Sequence, residues 1–230
     1  MTRYNPITHV VFDMDGLLLD TENLYTIATQ AVTSQYGKDY SYDIKEKCMG
    51  RSEREGSHII IDSLQLPITV DEFIKMCKSH FAEVFPRAEL LPGADKLVRH
   101  LHKHNVPIAI ATGSNKWKYD LKTTNHKEFF SLFHHTVLIS DDPEVHHGKP
   151  HPECFLVAAK RFDDSPSPEK VLVFEDSGNG VVSAHAAGMQ CVWVPDPRTD
   201  TSQVANKATL IISSLGDFKP EEFGLPAYSS

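Results

Sequence analysis

Several things are scarce in this chain of 230 residues, and each scarcity excludes something. No apolar run approaches the roughly 18 residues that a membrane-spanning helix needs, so no membrane partner is expected. Only four cysteines occur (Cys48, Cys77, Cys154, Cys191), widely separated and without CxxC spacing, so neither a disulfide framework nor a thiolate metal site is indicated. Each sits among apolar neighbours and reads as a small buried hydrophobe. Excess positive charge is missing too: the formal charge is −8, which argues against nucleic acid as a partner. The same acidity repels an anionic metabolite at long range, so a phosphate site would need local positive charge from a lysine, a helix N-terminus or a metal ion. The first strand-like run begins too early to leave room for a signal peptide of ~15–30 residues. Cytoplasm is the expected location and a monomer the default state.

What is present is the balance of a globular protein, 40% hydrophobic and 23% charged. Short apolar, β-branched runs stand at 9–12, 106–111, 136–139, 170–174, 190–194 and 208–212. From the second onward they alternate with helical patterns at 93–104, 118–130, 152–162 and 179–187. Continuous apolar strands separated by helices predict an α/β fold, with a parallel sheet covered on both faces. The first strand breaks the rhythm, because only helical patterns follow it until position 106. Residues 22–36 place Leu24, Ile27, Ala28, Ala31 and Gln35 on one stripe. Residues 52–66 carry Ile59, Ile60 and Leu64, and Thr69 with Glu72 forms a capping box before Phe73, Ile74, Cys77, Phe81 and Val84. Three or so helices inserted there predict a small helical cap, residues 19–88, on a core made of 1–18 and 89–230. The tail from Lys219 reads as loosely attached.

Four strand-end segments carry candidate chemistry. The first is Asp13-Met-Asp15-Gly16, where two carboxylates two residues apart would share a face if the strand stayed regular. Such neighbours repel unless a cation intervenes, and Mg²⁺ suits hard oxygen donors. The bland alternative is a turn that merely contains two aspartates. Thr112-Gly113-Ser114 offers a hydroxyl and open backbone N–H groups to a phosphate, although it is also ordinary turn chemistry. Lys149 lies in Gly148-Lys-Pro150 before a helix, and a solvated lysine is the alternative there. Glu175-Asp176 follows four apolar residues, and burying such a pair without a cation would be costly.

These segments, in this order, resemble the four motifs of the haloacid dehalogenase superfamily, and the likeness covers nearly the whole chain. Within it, Asp15–Glu22, His126–Phe133, Asp141–Val145, Gly148–Pro150, Phe174–Asp176 and Phe223–Pro226 are similar to the pseudouridine-5′-phosphatase branch. The resemblance implies a Rossmann-like sheet with the first strand central, and a Mg²⁺-dependent phosphatase of a small phosphorylated metabolite. It implies Asp13 as nucleophile and Asp15 as general acid and base. It implies Mg²⁺ held by Asp13, the Asp15 carbonyl and Asp176, with Glu175 ligating directly or through water. It implies Thr112, Gly113 and Lys149 on the phosphoryl oxygens.

Two departures from the family pattern are His151, where aspartate is common, and the segment Met49–Arg54, which keeps a glycine and a basic residue but differs otherwise. Arg51 and Arg54 are candidates for contact with substrate. Pseudouridine 5′-phosphate is the expected substrate. Sugar, polyol or flavin phosphates and a β-phosphoglucomutase-type transfer remain as alternatives. The 13 histidines, including His100, His102 and His104 and the pairs at 134–135 and 146–147, read as solvated, and Trp117 and Trp193 as packing residues.

Overall fold

The computed structural model describes residues 2–48 and 51–229. Every residue of β1 (His9–Phe12) is buried, and alternate side chains reach opposite faces of the sheet. Val10 and Phe12 pack with Leu97, Leu101 and Phe133 on one face. Val11 packs with Phe155, Val173 and Val181 on the other. A strand apolar on both faces cannot lie at a solvated edge, and β1 sits at the centre of the sheet. The other strands are β2 (Ile108–Thr112), β3 (His135–Leu138), β4 (Val171–Glu175), β5 (Gln190–Trp193) and β6 (Leu210–Ile211). All pair in parallel, in the order β3-β2-β1-β4-β5-β6.

Helices α1 (Glu22–Thr33), α2 (Tyr42–Cys48), α3 (Glu53–Leu64) and α4 (Val70–Val84) form the insert after β1. They close on their own apolar cluster, which includes Ala28, Val32, Ile60, Phe73, Cys77 and Phe81. Capping boxes open two of them, Ser52 with Glu55 and Thr69 with Glu72. The short α2 was not foreseen. The α1 stripe is also rotated from expectation: Ile27 is 49% exposed, while Ala28, Thr29, Val32 and Thr33 are buried. The two connections to the sheet run side by side, Asp20 N donating to Glu89 O at 2.9 Å and Leu91 N to Leu18 O at 2.9 Å.

Around the sheet lie α5 (Ala94–Lys103), α6 (Lys116–Lys122), α7 (Lys127–Phe130), α8 (Glu153–Lys160) and α9 (Gly178–Ala186). The single helix expected over 118–130 is therefore two, divided at Thr123-Thr-Asn-His126, residues that favour turns over helix interiors. The tail is anchored, contrary to expectation. Phe223 is fully buried and stacks on Tyr4 at 4.4 Å, and Arg3 N and Tyr4 N both donate to Glu222 O. No helix among the described residues is long and apolar enough to cross a membrane.

Candidate active site

The parallel ladder delivers the acids to one place. Asp13 N donates to Phe174 O at 2.9 Å, carrying the β1–β4 pairing one residue beyond β1 and setting Asp13 beside Glu175. This is the carboxyl edge of the sheet, where open α/β folds place their sites. Lys149 reaches in from the loop before α8. Its Nζ donates to Asp13 Oδ1 and Glu175 Oε1, both at 2.5 Å, and to Ala111 O at 3.0 Å. Asp13, Lys149, Glu175 and Asp176 are all buried.

Two glycines make room for these carboxylates. Gly16 turns the chain at φ +75°, and a Cβ there would stand 2.4 Å from Asp176 Oδ2. A Cβ at Gly180 would stand 1.9 Å from Glu175 Cδ. Glu175 Oε2 also accepts from Ser177 N at 3.2 Å and Ser177 Oγ at 3.1 Å, just ahead of α9.

The charges do not balance. Asp13, Glu175 and Asp176 face a single lysine, which leaves two negative charges uncompensated if all three acids ionise. Burial pushes the Asp13 carboxyl up to about 7 against the pull of Lys149, with Glu175 and Asp15 adding to the rise. Burial, then Asp13 and Glu175, push Asp176 well above the carboxylate range. Burial works against the Lys149 ammonium, but the two carboxylates outweigh it and raise its pKa. A divalent cation among hard oxygen donors cancels this excess, so the residues present fit Mg²⁺.

Asp15 belongs to a different set. Its carboxylate is paired with the Lys122 ammonium and accepts from Thr21 Oγ1 at 2.7 Å, Ser114 Oγ at 3.0 Å and Thr112 Oγ1 at 3.2 Å. Burial alone would raise its pKa, yet Lys122 and these donors bring it below the ordinary value. Lys122 is itself fully buried, and its Nζ also donates to Tyr25 Oη and Ser114 Oγ, each at 2.7 Å. Neither Lys122 nor Ser114 was singled out from the sequence. The available signal was the four-residue spacing of Lys118 and Lys122, which puts both on the buried face of α6 while Lys116 pairs outward with Asp120.

A cavity opens from this edge into the helical insert. Asp13, Asp15, Asp176, Gly113, Ser114 and Arg51 line it together with Tyr25, Lys118, Glu53, Phe81 and Cys77. Lys118 Nζ pairs with Glu53 Oε1 at 2.7 Å and lies 4.4 Å from the Phe81 ring centre. Arg51 Nε donates to Lys47 O at 2.9 Å, and the Arg51 carbonyl oxygen would stand 3.4 Å from a Cβ at Gly113, so this turn of the insert overhangs the phosphate-binding candidate. Arg54 turns elsewhere and pairs with Asp71 at 2.7 Å on the surface. Met49 and Gly50, whose segment departs from the family pattern, lie outside the described residues.

Thus Asp13, Lys149 and Asp176 converge with Glu175, while Asp15, Thr112 and Ser114 form an adjoining hydrogen-bonded group, with Gly113 beside them. The two tryptophans pack as expected: Trp193 is buried with Nε1 donating to Asp176 O at 2.7 Å, and Trp117 lies against the insert's apolar cluster. His100 and His104, read as solvated, lie with their ring centres 4.4 Å apart, and each binds a backbone carbonyl.

The family model for haloacid dehalogenase-like hydrolases matches residues 10–194. The chain belongs to this family. A Drosophila melanogaster protein named "Probable pseudouridine-5′-phosphatase" is 48% identical over 97% of this chain and 96% of its own. (DL)-glycerol-3-phosphatase 2 of Arabidopsis thaliana is 49% identical over 96% and 93%. The crystal structure of a haloacid dehalogenase-family hydrolase from Deinococcus radiodurans, with bound phosphate and sodium, superposes with a TM-score of 0.76 at 22% identity. It covers 97% of this chain and 99% of its own, a likeness of fold. The family's α/β architecture and hydrolytic class therefore extend to this chain.

Proposed function

We propose that this phosphoric monoester hydrolase is a Mg²⁺-dependent phosphatase acting on pseudouridine 5′-phosphate through an aspartyl-phosphate on Asp13. The observation that carries the reading is the buried group of three carboxylates around one lysine, with two negative charges to spare, beside the hydroxyls of Thr112 and Ser114. Mg²⁺ would be held by Asp13, the Asp15 carbonyl and Asp176, with Glu175 as direct or water-mediated support, and would supply charge neutralisation between nucleophile and phosphate.

Asp13 Oδ attacks phosphorus, and the P–O bond to the substrate alcohol breaks. The departing alkoxide takes a proton from Asp15. Water then attacks phosphorus, Asp15 accepts its proton, and the acyl-phosphate bond breaks to free Asp13 and inorganic phosphate. Lys149, the Thr112 hydroxyl and the Gly113 N–H steady the phosphoryl oxygens. The pairing with Lys122 favours the ionised form of Asp15, which suits the second step; for the first step Asp15 must take up a proton, released from that pairing, before it donates to the alkoxide. Opening and closing of residues 19–88, as a cap domain over a core of 1–18 and 89–230, would gate these steps. The separate apolar cluster of the insert and its paired connections support that division. Arg51, which lines the cavity, is assigned to substrate contact.

The four free thiols suit the reducing cytoplasm, and we assign a monomer working there. A second reading, a polyol phosphatase, is favoured by the 49% identity to the Arabidopsis glycerol-3-phosphatase. Phosphate release from pseudouridine 5′-phosphate, glycerol 3-phosphate, deoxysugar phosphates and flavin mononucleotide, with Mg²⁺ and with chelator, decides between them. Preference for the first, abolished by chelator, supports the proposal. Preference for glycerol 3-phosphate supports the second reading, and equal rates on all four would make the enzyme a generalist. Sugar-phosphate isomerisation without phosphate release would indicate a mutase.

A further inference from the structure

Outside the carboxylate site, His147, His151 and Glu153 bring one potential ligand atom each to within 4.8 Å of one another. The imidazole rings of His147 and His151 lie with centres 4.6 Å apart, and His147 Nδ1 stands 3.4 Å from Glu153 Oε2. The turn is fixed from within: Glu153 Oε2 accepts from His146 N and His147 N, each at 2.7 Å, which anchors the loop to the first residue of α8. Glu153 Oε1 makes no hydrogen bond to the described residues. Both histidines are exposed, and an ion of the zinc class would take such donors at about 2.0–2.2 Å.

We propose that His147, His151 and Glu153 form a second metal site, taking a first-row transition ion of the Zn²⁺ class. Its donors are two imidazoles and one carboxylate, with the fourth position open to water. That chemistry selects against Mg²⁺, which takes oxygen ligands, and in favour of Zn²⁺, Co²⁺ and Ni²⁺. The site brackets Lys149, whose ammonium points the opposite way into the carboxylate group. The two sites share a loop and no ligand. An ion here ties residue 147 to residues 151 and 153, and so fixes the segment that carries Lys149.

The test is equilibrium Zn²⁺ binding to the whole protein under saturating Mg²⁺, with Co²⁺ absorption as a second readout. The expected result is one Zn²⁺ per chain, a Co²⁺ spectrum displaced by Zn²⁺, and affinity lower by at least about tenfold in His147→Ala and in His151→Ala. His102→Ala, on α5, keeps the parent affinity. Zn²⁺ raises the thermal midpoint of the parent and leaves that of His151→Ala unmoved. Parent-like Zn²⁺ affinity in both His147→Ala and His151→Ala, or full displacement of Zn²⁺ by Mg²⁺, would overturn the site.

Discussion

The carboxyl edge of the sheet and the cavity within the helical insert lie next to each other and are built on opposite principles. At the sheet edge, charge is concentrated and left out of balance: Asp13 and Glu175 share Lys149, and Asp176 is buried beside them without a lysine of its own among the ion pairs of the described residues. Along the cavity, charges come in matched pairs, Lys118 of α6 with Glu53 of the insert and Lys45 with Glu22 within it, with Lys118 set among aromatic rings. An unbalanced buried group is costly unless something arrives to complete it, which suits a site for a cation and a phosphate. Matched pairs are complete already, which suits a wall that sorts substrates by shape and hydrogen bonding.

The most severe way to break this contrast is Asp13→Asn. On our assignment it removes the nucleophile and lowers kcat by about 10⁴-fold or more, measured as phosphate release. Asp15→Asn follows, with a loss of ~10²–10⁴-fold for the missing acid–base group. Parent-rate hydrolysis by that variant would remove Asp15 from the mechanism. Lys122→Met strips the partner from a buried carboxylate and costs about 3–5 kcal/mol of stability, read from urea denaturation.

The sharpening experiment lies on the cavity wall, where α6 meets the insert. Lys118→Met breaks the pair with Glu53 that lines the cavity. It raises KM about tenfold with kcat nearly unchanged, the pattern of lost ground-state binding. An equal fall in kcat instead would move Lys118 into the chemistry.

Smallest is a control outside both regions. Arg161 bonds bidentately to Asp142 at 2.5 and 2.8 Å and holds its carboxyl below the usual range. A depressed carboxylate pKa stabilises the fold above the unfolded value of about 3.9, and that contribution is lost as pH falls through the lower folded value. The stability gap between parent and Arg161→Ala is therefore about 1 kcal/mol at neutral pH and closes below about pH 4.

The two regions also differ in how far they could be read from sequence. The sheet edge was legible because each of its acids ends a run of apolar residues, as in Val171–Phe174 before Glu175 and Asp176, and a strand end is a short-range pattern. The central place of β1 was expected from the family resemblance alone, and the burial of all four of its residues accords with it. Lys122 was not legible, because its meaning depends on Asp15, far away in the chain, and a lysine in a polar-looking helix ordinarily faces water. The α1 stripe failed for a related reason. Thr29 and Thr33, which look polar in sequence, are buried, Thr29 against the cavity, and Ile27 is left outside. Tail burial depended on the pocket that Phe223 fills against Tyr4 and Phe218, which no local pattern announces.

The central claim is that the unbalanced carboxylate group serves covalent phosphoryl transfer through Asp13. Rapid mixing with a radiolabelled phosphate ester and Mg²⁺, followed by acid quench and peptide mapping, tests it directly. The account predicts hydroxylamine-labile label on the peptide containing Asp13, absent without Mg²⁺ and absent in Asp13→Asn. Label on another residue, or hydrolysis at the parent rate by Asp13→Asn, would contradict it.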